Sequence, residues 1–186
     1  MKCLPRDRPV VAVSDSNSRG AWASLPRMSQ FTYQLARTSD AETISHLSRS
    51  LIEVGLQPAW SVQRVRWHIR HRESVVLAAK AGSTLVGFAI MEFHDSDAHL
   101  NLLGVLPRYQ RTGVGRELLA WLEASAITAG TFLIKLEVRA GNVAGRAFYS
   151  GLGYREVGEV PGYYQGRETA VRMSRDLRLN CTSFEK

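Results

Sequence analysis

Gln110-Arg111-Thr112-Gly113-Val114-Gly115 sits at a change of period. Before it, residues 98–105 alternate as a strand, and Pro107 closes that strand; after it, Val114, Leu118, Leu122 and Ala126 fall on one helical stripe, which Gly130 ends. A helix that starts at such a place offers unpaired N–H groups and the positive end of its dipole, and glycines let an anion approach the backbone. The stretch therefore reads as a phosphate cradle. It is no Walker A loop, which ends in Gly-Lys-Ser/Thr, and no dinucleotide fingerprint, which needs glycine where Leu118 stands. An ordinary strand-to-helix turn is the competing reading of these six residues alone.

Working outward, residues 74–80 and 84–93 alternate as two further strands joined by Ala81-Gly82-Ser83, so three consecutive strands predict an antiparallel meander. Upstream, 31–37 reads as an opening strand. Ser39-x-x-Glu42 reads as a capping box for a helix from Asp40 to about Val54, with Ile44, Leu47 and Leu51 on its stripe. Val62, Val65 and Ile69 predict a short second helix whose other face carries Arg64, Arg66, His68 and Arg70. Downstream, 132–139 is a strand with Lys135, Glu137 and Arg139 on one face, 142–151 a last helix, and 154–160 and 168–177 the closing strands. The order β-α-α-β-β-β-α-β-α-β-β describes an α/β protein: a mixed, mostly antiparallel central sheet with helices on both faces.

With 186 residues, 45% hydrophobic and 22% charged, the chain can build one domain with a real core, placed at 31–178 between a flexible leader, 1–30, and a tail, 179–186. Met28 offers an alternative start. No apolar run approaches membrane-spanning length. Cys3 and Cys181 stand near opposite ends, which leaves no disulfide framework or Cys-x-x-Cys site and fits a reducing cytoplasm. A net charge of +7 favours polyanionic partners: nucleic acid, a ribosome surface or a phosphorylated cofactor.

Val105-Leu106-Pro107, Gln110, Gly113 and Gly115 together resemble the acetyl-CoA loop of the GNAT acetyltransferase superfamily. The resemblance runs on through Leu136-Glu137-Val138-Arg139, Asn142, Ala147-Phe148-Tyr149, Leu152-Gly153-Tyr154, Tyr163-Tyr164 and residues 170–173. It covers about 31–177 and is similar to the RimI-like branch, which acetylates protein N-terminal amines, notably of a ribosomal protein. It implies a single GNAT domain and acetyl-CoA as co-substrate. The backbone of Arg111, Thr112, Gly113, Val114, Gly115 and Arg116 would bind the pyrophosphate, and the main chain of Leu103, Gly104 and Val105 would pair with the pantetheine arm. Asn142 and Tyr149, seven residues apart, would both face the cofactor, with Gly145 between them leaving room for its arm or serving only packing.

By the same resemblance, Glu137 is the general base toward the substrate ammonium and Tyr149 the acid that protonates the departing thiolate. The Val105 N–H would stabilise the oxyanion, and Tyr163 and Tyr164 would line the acceptor groove, which the basic second helix would border. Each residue has a plainer alternative: Glu137 as an ion-pair partner of Lys135 or Arg139, Tyr149 as a hydrogen-bonding hydroxyl, the tyrosine pair as hairpin packing. His68 and His71, and His94, Asp95, Asp97 and His99 about a turn, lack catalytic metal-ligand spacing and read as solvated, so no metal is expected. No Gly-x-Ser-x-Gly elbow or Cys/His pairing points to an acyl-enzyme, so direct transfer is expected. Three positions depart from the branch: Gly145, Thr169 and a short turn after Tyr164. The favoured acceptor is a peptide or protein N-terminus, a ribosomal protein among the candidates. A polyamine or amino sugar, and a non-catalytic acyl-CoA-binding protein, are the alternatives, while neither nucleic acid nor membrane is the expected partner.

Overall fold

The computed structural model describes residues 30–180. The expected leader and the alternative start at Met28 fall outside the described residues, as do both cysteines and most of the tail. The elements run β1 (Thr32–Leu35), α1 (Ala41–Leu51), α2 (Val62–Arg70), β2 (Ser74–Ala81), β3 (Thr84–Phe93), β4 (Ala98–Val105), α3 (Val114–Ala129), β5 (Leu133–Arg139), α4 (Val143–Ser150), β6 (Arg155–Tyr164) and β7 (Glu168–Asp176). They form one sheet in the order β1-β2-β3-β4-β5-β7-β6, antiparallel throughout except where β4 lies parallel to β5 across the α3 crossover.

Alternation sends each strand's apolar residues to two cores. Ile44 of α1 and Val65 of α2 pack with Val76, Phe88, Ile90 and Leu102 on one face of the sheet. Leu118, Leu119 and Leu122 of α3 pack with Met91, Leu100, Ile134, Leu136 and Met173 on the other. The sheet is thereby sandwiched, as the sequence pattern predicts.

Two features of β4 position the site. It pairs with β5 only through Ala98–Leu100 against Ile134–Leu136, and beyond that the two parallel strands are no longer paired. The register against β3 also slips: Ile90 faces Leu102 while Met91 faces Leu100, which leaves Asn101 as an extra residue, a β-bulge. Accordingly Ala98 and Leu100 point to the α3 core, whereas Leu102 points to the α1–α2 core. A bulge bends its strand and re-aims side chains, so the divergence from β5 begins where the bulge stands.

Four local expectations need correction. The first helix begins at Ala41 and ends at Leu51 rather than near Val54. Its entry is a 3-10 turn, Thr38–Asp40, in which the Asp40 carboxylate accepts the Arg37 N–H at 2.8 Å, so the capping acid is Asp40 and not Ser39. His68 is buried, only 2% exposed, instead of lying on the basic face; it follows Val65 by three residues and shares its stripe, and its Nδ1 meets Ser74 Oγ at 3.0 Å. Finally, the basic face of α2 divides. Arg66 and Arg70 line an open groove with Thr38 and Ser39 beside β1, at the opposite edge of the sheet from β6 and β7, whereas Arg64 lies over the Trp60 ring at 4.2 Å, at the end of the α1–α2 connection.

Candidate active site

The start of α3 is built as an open anion cradle. Gly113 is its N-cap at φ +96°, a left-handed conformation that side chains other than glycine's resist, and no side chain caps the helix. The first intrahelical bond runs from the Glu117 N–H to the Gly113 carbonyl, which leaves the Val114, Gly115 and Arg116 N–H groups without helical partners. Thr112 Oγ1 donates to the Tyr109 carbonyl at 2.6 Å and Gln110 Nε2 to the Val105 carbonyl at 3.1 Å, so the loop is fixed from inside. Arg111 and Arg116 make no ion pair among the described residues. The arrangement suits a diphosphate.

The cradle opens onto the gap between β4 and β5. The Leu106 N–H donates to the Val86 carbonyl of β3. Backbone polar groups alternate along a strand, so the N–H and C=O of Val105 and Leu103 turn away from β3 into the gap, and those of Gly104 face β3. An extended polyamide arm can pair there as an added strand would.

Across the gap, α4 supplies Tyr149, whose ring packs edge-on against Phe148 and Tyr154 at 5.1 and 5.7 Å. Burial and the neighbouring Tyr164 hold its phenol well above the ordinary tyrosine value. Asn142 is the N-cap of α4, with Oδ1 accepting the Gly145 N–H at 2.9 Å. A Cβ on Gly145 would lie 2.6 Å from Asn142 Nδ2, so the space at this glycine holds the capping carboxamide, the packing alternative of the sequence reading.

On the face of β5 away from α3, Glu137 occupies a polar cluster. Its Oε2 lies 2.7 Å from His99 Nε2 and accepts from the Tyr163 hydroxyl at 3.4 Å, while its Oε1 lies 3.4 Å from Arg172 Nε. The two alternative partners are engaged elsewhere: Lys135 pairs with Asp97 at 2.8 Å and Arg139 with Glu168 at 2.9 Å. The His99 hydrogen bond, then its charge, then Arg172 and Tyr163 hold the Glu137 carboxyl below its usual value against the opposing effect of burial. The same hydrogen bond raises His99 above the ordinary imidazole value.

His99 is therefore not a solvated turn residue; it is the closest partner of Glu137, and the sequence reading missed it. The outward phase of 99 along the strand was legible, but its alignment with β5 was not. On its other side, His99 Nδ1 meets Asn101 Oδ1 at 3.0 Å, and Asn101 Nδ2 donates to Glu92 Oε2 at 2.7 Å.

Tyr163 and Tyr164 stand edge to face at 5.0 Å, and the Arg139 guanidinium lies over the Tyr164 ring at 5.4 Å. Burial, with Tyr163 and Glu137 nearby, pushes the Tyr164 phenol up to about 12. Facing them is the α1–α2 connection. Arg139 Nη2 donates to the carbonyls of Ile52 and Val54 at 2.9 and 2.8 Å. Gln165 clasps Gln57 by two hydrogen bonds, accepting from its N–H at 3.0 Å and donating to its carbonyl at 2.9 Å. Glu53, buried below, accepts from Ser48 Oγ and from the Ala59 and Trp60 N–H groups, and so holds that connection in shape. The Arg139 and Gln165 contacts across the groove had no signal in the sequence, because their partners lie 85 to 108 positions away.

The profile of the acetyltransferase (GNAT) family matches residues 41–154. The [Ribosomal protein bS18]-alanine N-acetyltransferase of Salmonella typhimurium is 38% identical over 106 residues, 55% of this chain and 72% of that one. The N-alpha-acetyltransferase RimI of Mycobacterium tuberculosis is 31% identical over 143 residues, 74% of this chain and 87% of that one. Among solved structures, the ribosomal-protein-S18-alanine N-acetyltransferase of Escherichia coli is similar with a TM-score of 0.69 at 29% identity, covering 79% of this chain and 94% of that one.

Proposed function

Because the chain belongs to the acetyltransferase (GNAT) family, it is an acyltransferase whose co-substrate is acetyl-CoA, and we propose that its acceptor is the N-terminal amine of a protein. One observation carries the reading: the unpaired edge of β4 lies between the uncapped start of α3 and the Glu137 carboxylate. The residues fit the co-substrate. The N–H groups of Val114, Gly115 and Arg116 would hold the pyrophosphate, flanked by Arg111, Thr112 and Gly113, and Leu103 and Val105 would pair with the pantetheine amides beside Gly104. Asn142, at the start of α4 with its Oδ1 engaged as the cap, keeps its Nδ2 donor for the same arm. The acetyl thioester, once bound, supplies the electrophilic carbonyl.

The chain's own groups then divide the work. Glu137 takes a proton from the ammonium, which is unreactive until its lone pair is freed. The Val105 N–H, turned into the gap, meets the developing oxyanion. Burial keeps Tyr149 protonated, so its hydroxyl is always able to donate to the leaving sulfur. The same burial makes it a weaker acid, and its proton moves fully only to a thiolate desolvated alongside it. Tyr163 and Tyr164 line the acceptor side with Arg139 and Arg172. Glu137 lies against Arg172 as well as His99, and Arg139 stands over the Tyr164 ring, so cationic side chains share the acceptor side and oppose a polyamine. That balance favours a peptide amine. The Salmonella typhimurium relative is named for a ribosomal protein, which supports an acceptor of that class and, with it, a reaction in the cytoplasm.

Thiol release from acetyl-CoA by the full chain, measured with N-terminal peptides, spermidine and an aminoglycoside, tests the acceptor. A peptide giving the highest kcat/KM supports the reading; spermidine or the aminoglycoside outrunning every peptide overturns it.

A further inference from the structure

Glu137 alone is a poorly chosen base. Its carboxyl is held low by its neighbours, and a carboxylate that weak takes a proton from an ammonium only at a steep cost. The residue it touches most closely is the one whose ordinary titration lies near neutrality, and that contact is fixed from behind. Asn101 Nδ2 donates to Glu92 Oε2, which turns Asn101 Oδ1 toward His99 and makes it an acceptor. His99 Nδ1 must then carry a hydrogen, so the nitrogen left for Glu137 is Nε2. We propose that the proton acceptor presented to the substrate amine is the Glu137–His99 pair, with His99 a positioning residue and proton reservoir and Asn101 and Glu92 fixing its tautomer.

The proposal rests on the reading that Glu137 faces the acceptor. The 2.7 Å contact is a hydrogen bond, so it describes the pair with one proton held between Oε2 and Nε2. In the working form that proton has left and Nε2 presents a lone pair toward Glu137; taking up a proton restores the bond. The ammonium gives one proton to Glu137, directly or through one water; the proton comes to rest on Nε2 and the imidazole becomes imidazolium. The freed amine lone pair adds to the thioester carbonyl; as the adduct collapses the C–S bond breaks, the thiolate takes the Tyr149 proton, and the second proton lost by the nitrogen restores the Tyr149 hydroxyl. His99 later returns its proton to solvent. The pair thus titrates as a unit, with its upper step belonging to both residues. The groups that face it are Glu92 from β3, Asn101 from β4, and Arg172 and Tyr163 behind Glu137 from β7 and β6. Glu92 also lies in the field of His68 on α2. The bulge at Asn101 places 99 and 101 where both can reach this row.

The test is the pH dependence of kcat/KM, measured with two peptides of different amine pKa so that the limb which does not follow the peptide is assigned to the enzyme. Wild type should show that limb above pH 6.5. His99→Gln keeps a hydrogen-bond donor toward Glu137 but cannot titrate. Its limb should fall by about two pH units, the gap between the ordinary imidazole and carboxyl values of 6.5 and 4.5, and its plateau by about tenfold or more. Asn101→Leu should retain the limb yet lose part of the plateau. In the wild-type protein, 15N NMR of the imidazoles should show His99 titrating with the same midpoint as the limb and neutral as the Nδ1–H tautomer, a measurement that stands even if a variant fails to fold. A wild-type limb in His99→Gln, or a His99 midpoint more than one pH unit from the limb, overturns the proposal. Full activity in Glu137→Gln would instead overturn the base assignment beneath it, so the two failures are distinguishable.

Discussion

Gly145→Ala should change stability in a way that depends on Asn142. Alanine is favoured over glycine in a helix by about 1 kcal/mol. The new Cβ, however, would sit 2.6 Å from Asn142 Nδ2 and 2.9 Å from its Cγ. The carboxamide is the end of a movable side chain, so it gives way, and the 2.9 Å bond from the Gly145 N–H to its Oδ1 is lost. Loss of an N-cap costs about 1 kcal/mol. The two effects nearly cancel, and Gly145→Ala in the native background should lie within about 0.5 kcal/mol of wild type. Asn142→Ala alone should cost about 1 kcal/mol. In that background nothing remains for the Cβ to strike, and Gly145→Ala should restore about 1 kcal/mol. Urea unfolding of the four proteins gives the coupling directly, and acetyl-CoA titration accompanies it. If Gly145→Ala gains the full helix increment beside Asn142, or weakens acetyl-CoA binding tenfold in both backgrounds, the glycine is kept for the cofactor and not for the cap.

Gly113→Val should weaken acetyl-CoA binding more than Thr112→Ala, since the left-handed N-cap at φ +96° costs a substituted residue about 1–2 kcal/mol; equal affinities by calorimetry would remove the cradle. Glu137→Gln should lower kcat by about a hundredfold or more, and Tyr149→Phe should lower turnover with little change in acetyl-CoA affinity; wild-type turnover in both would make them structural. The ion pair also fixes a stability window. His99 is raised, so its contribution is full below its ordinary 6.5 and lost as pH rises through its folded value; Glu137 is lowered, so its contribution is full above its ordinary 4.5 and lost as pH falls through its folded value. The Tm difference between wild type and His99→Gln should therefore peak between about pH 4.5 and 6.5, and a flat difference would contradict the pair. Arg66→Gln with Arg70→Gln should leave the salt dependence of acidic and neutral peptides unchanged, because both arginines lie by β1; a selective loss for acidic peptides would return them to the acceptor side.

Local pattern carried a large part of this protein. The change of period at residues 110–115 located the α3 start, alternation put Glu137 on the polar face of β5, and the order of elements gave the sandwiched mixed sheet, because these depend on residues a few positions apart. The family resemblance added which atoms would meet acetyl-CoA. Position by position, though, helix spacing misled where a polar ring took a place in the core, as His68 does. The composition of the Glu137 cluster was beyond reach. It needs the parallel register of β4 on β5 and the extra residue at Asn101, and only these bring His99 to within 2.7 Å of a carboxylate 38 positions away. Period-two alternation states which face a residue takes but not what lies beside it on the next strand. That neighbour is chosen by how α3 packs between the two strands and by where the bulge bends β4, which are energies of the folded whole.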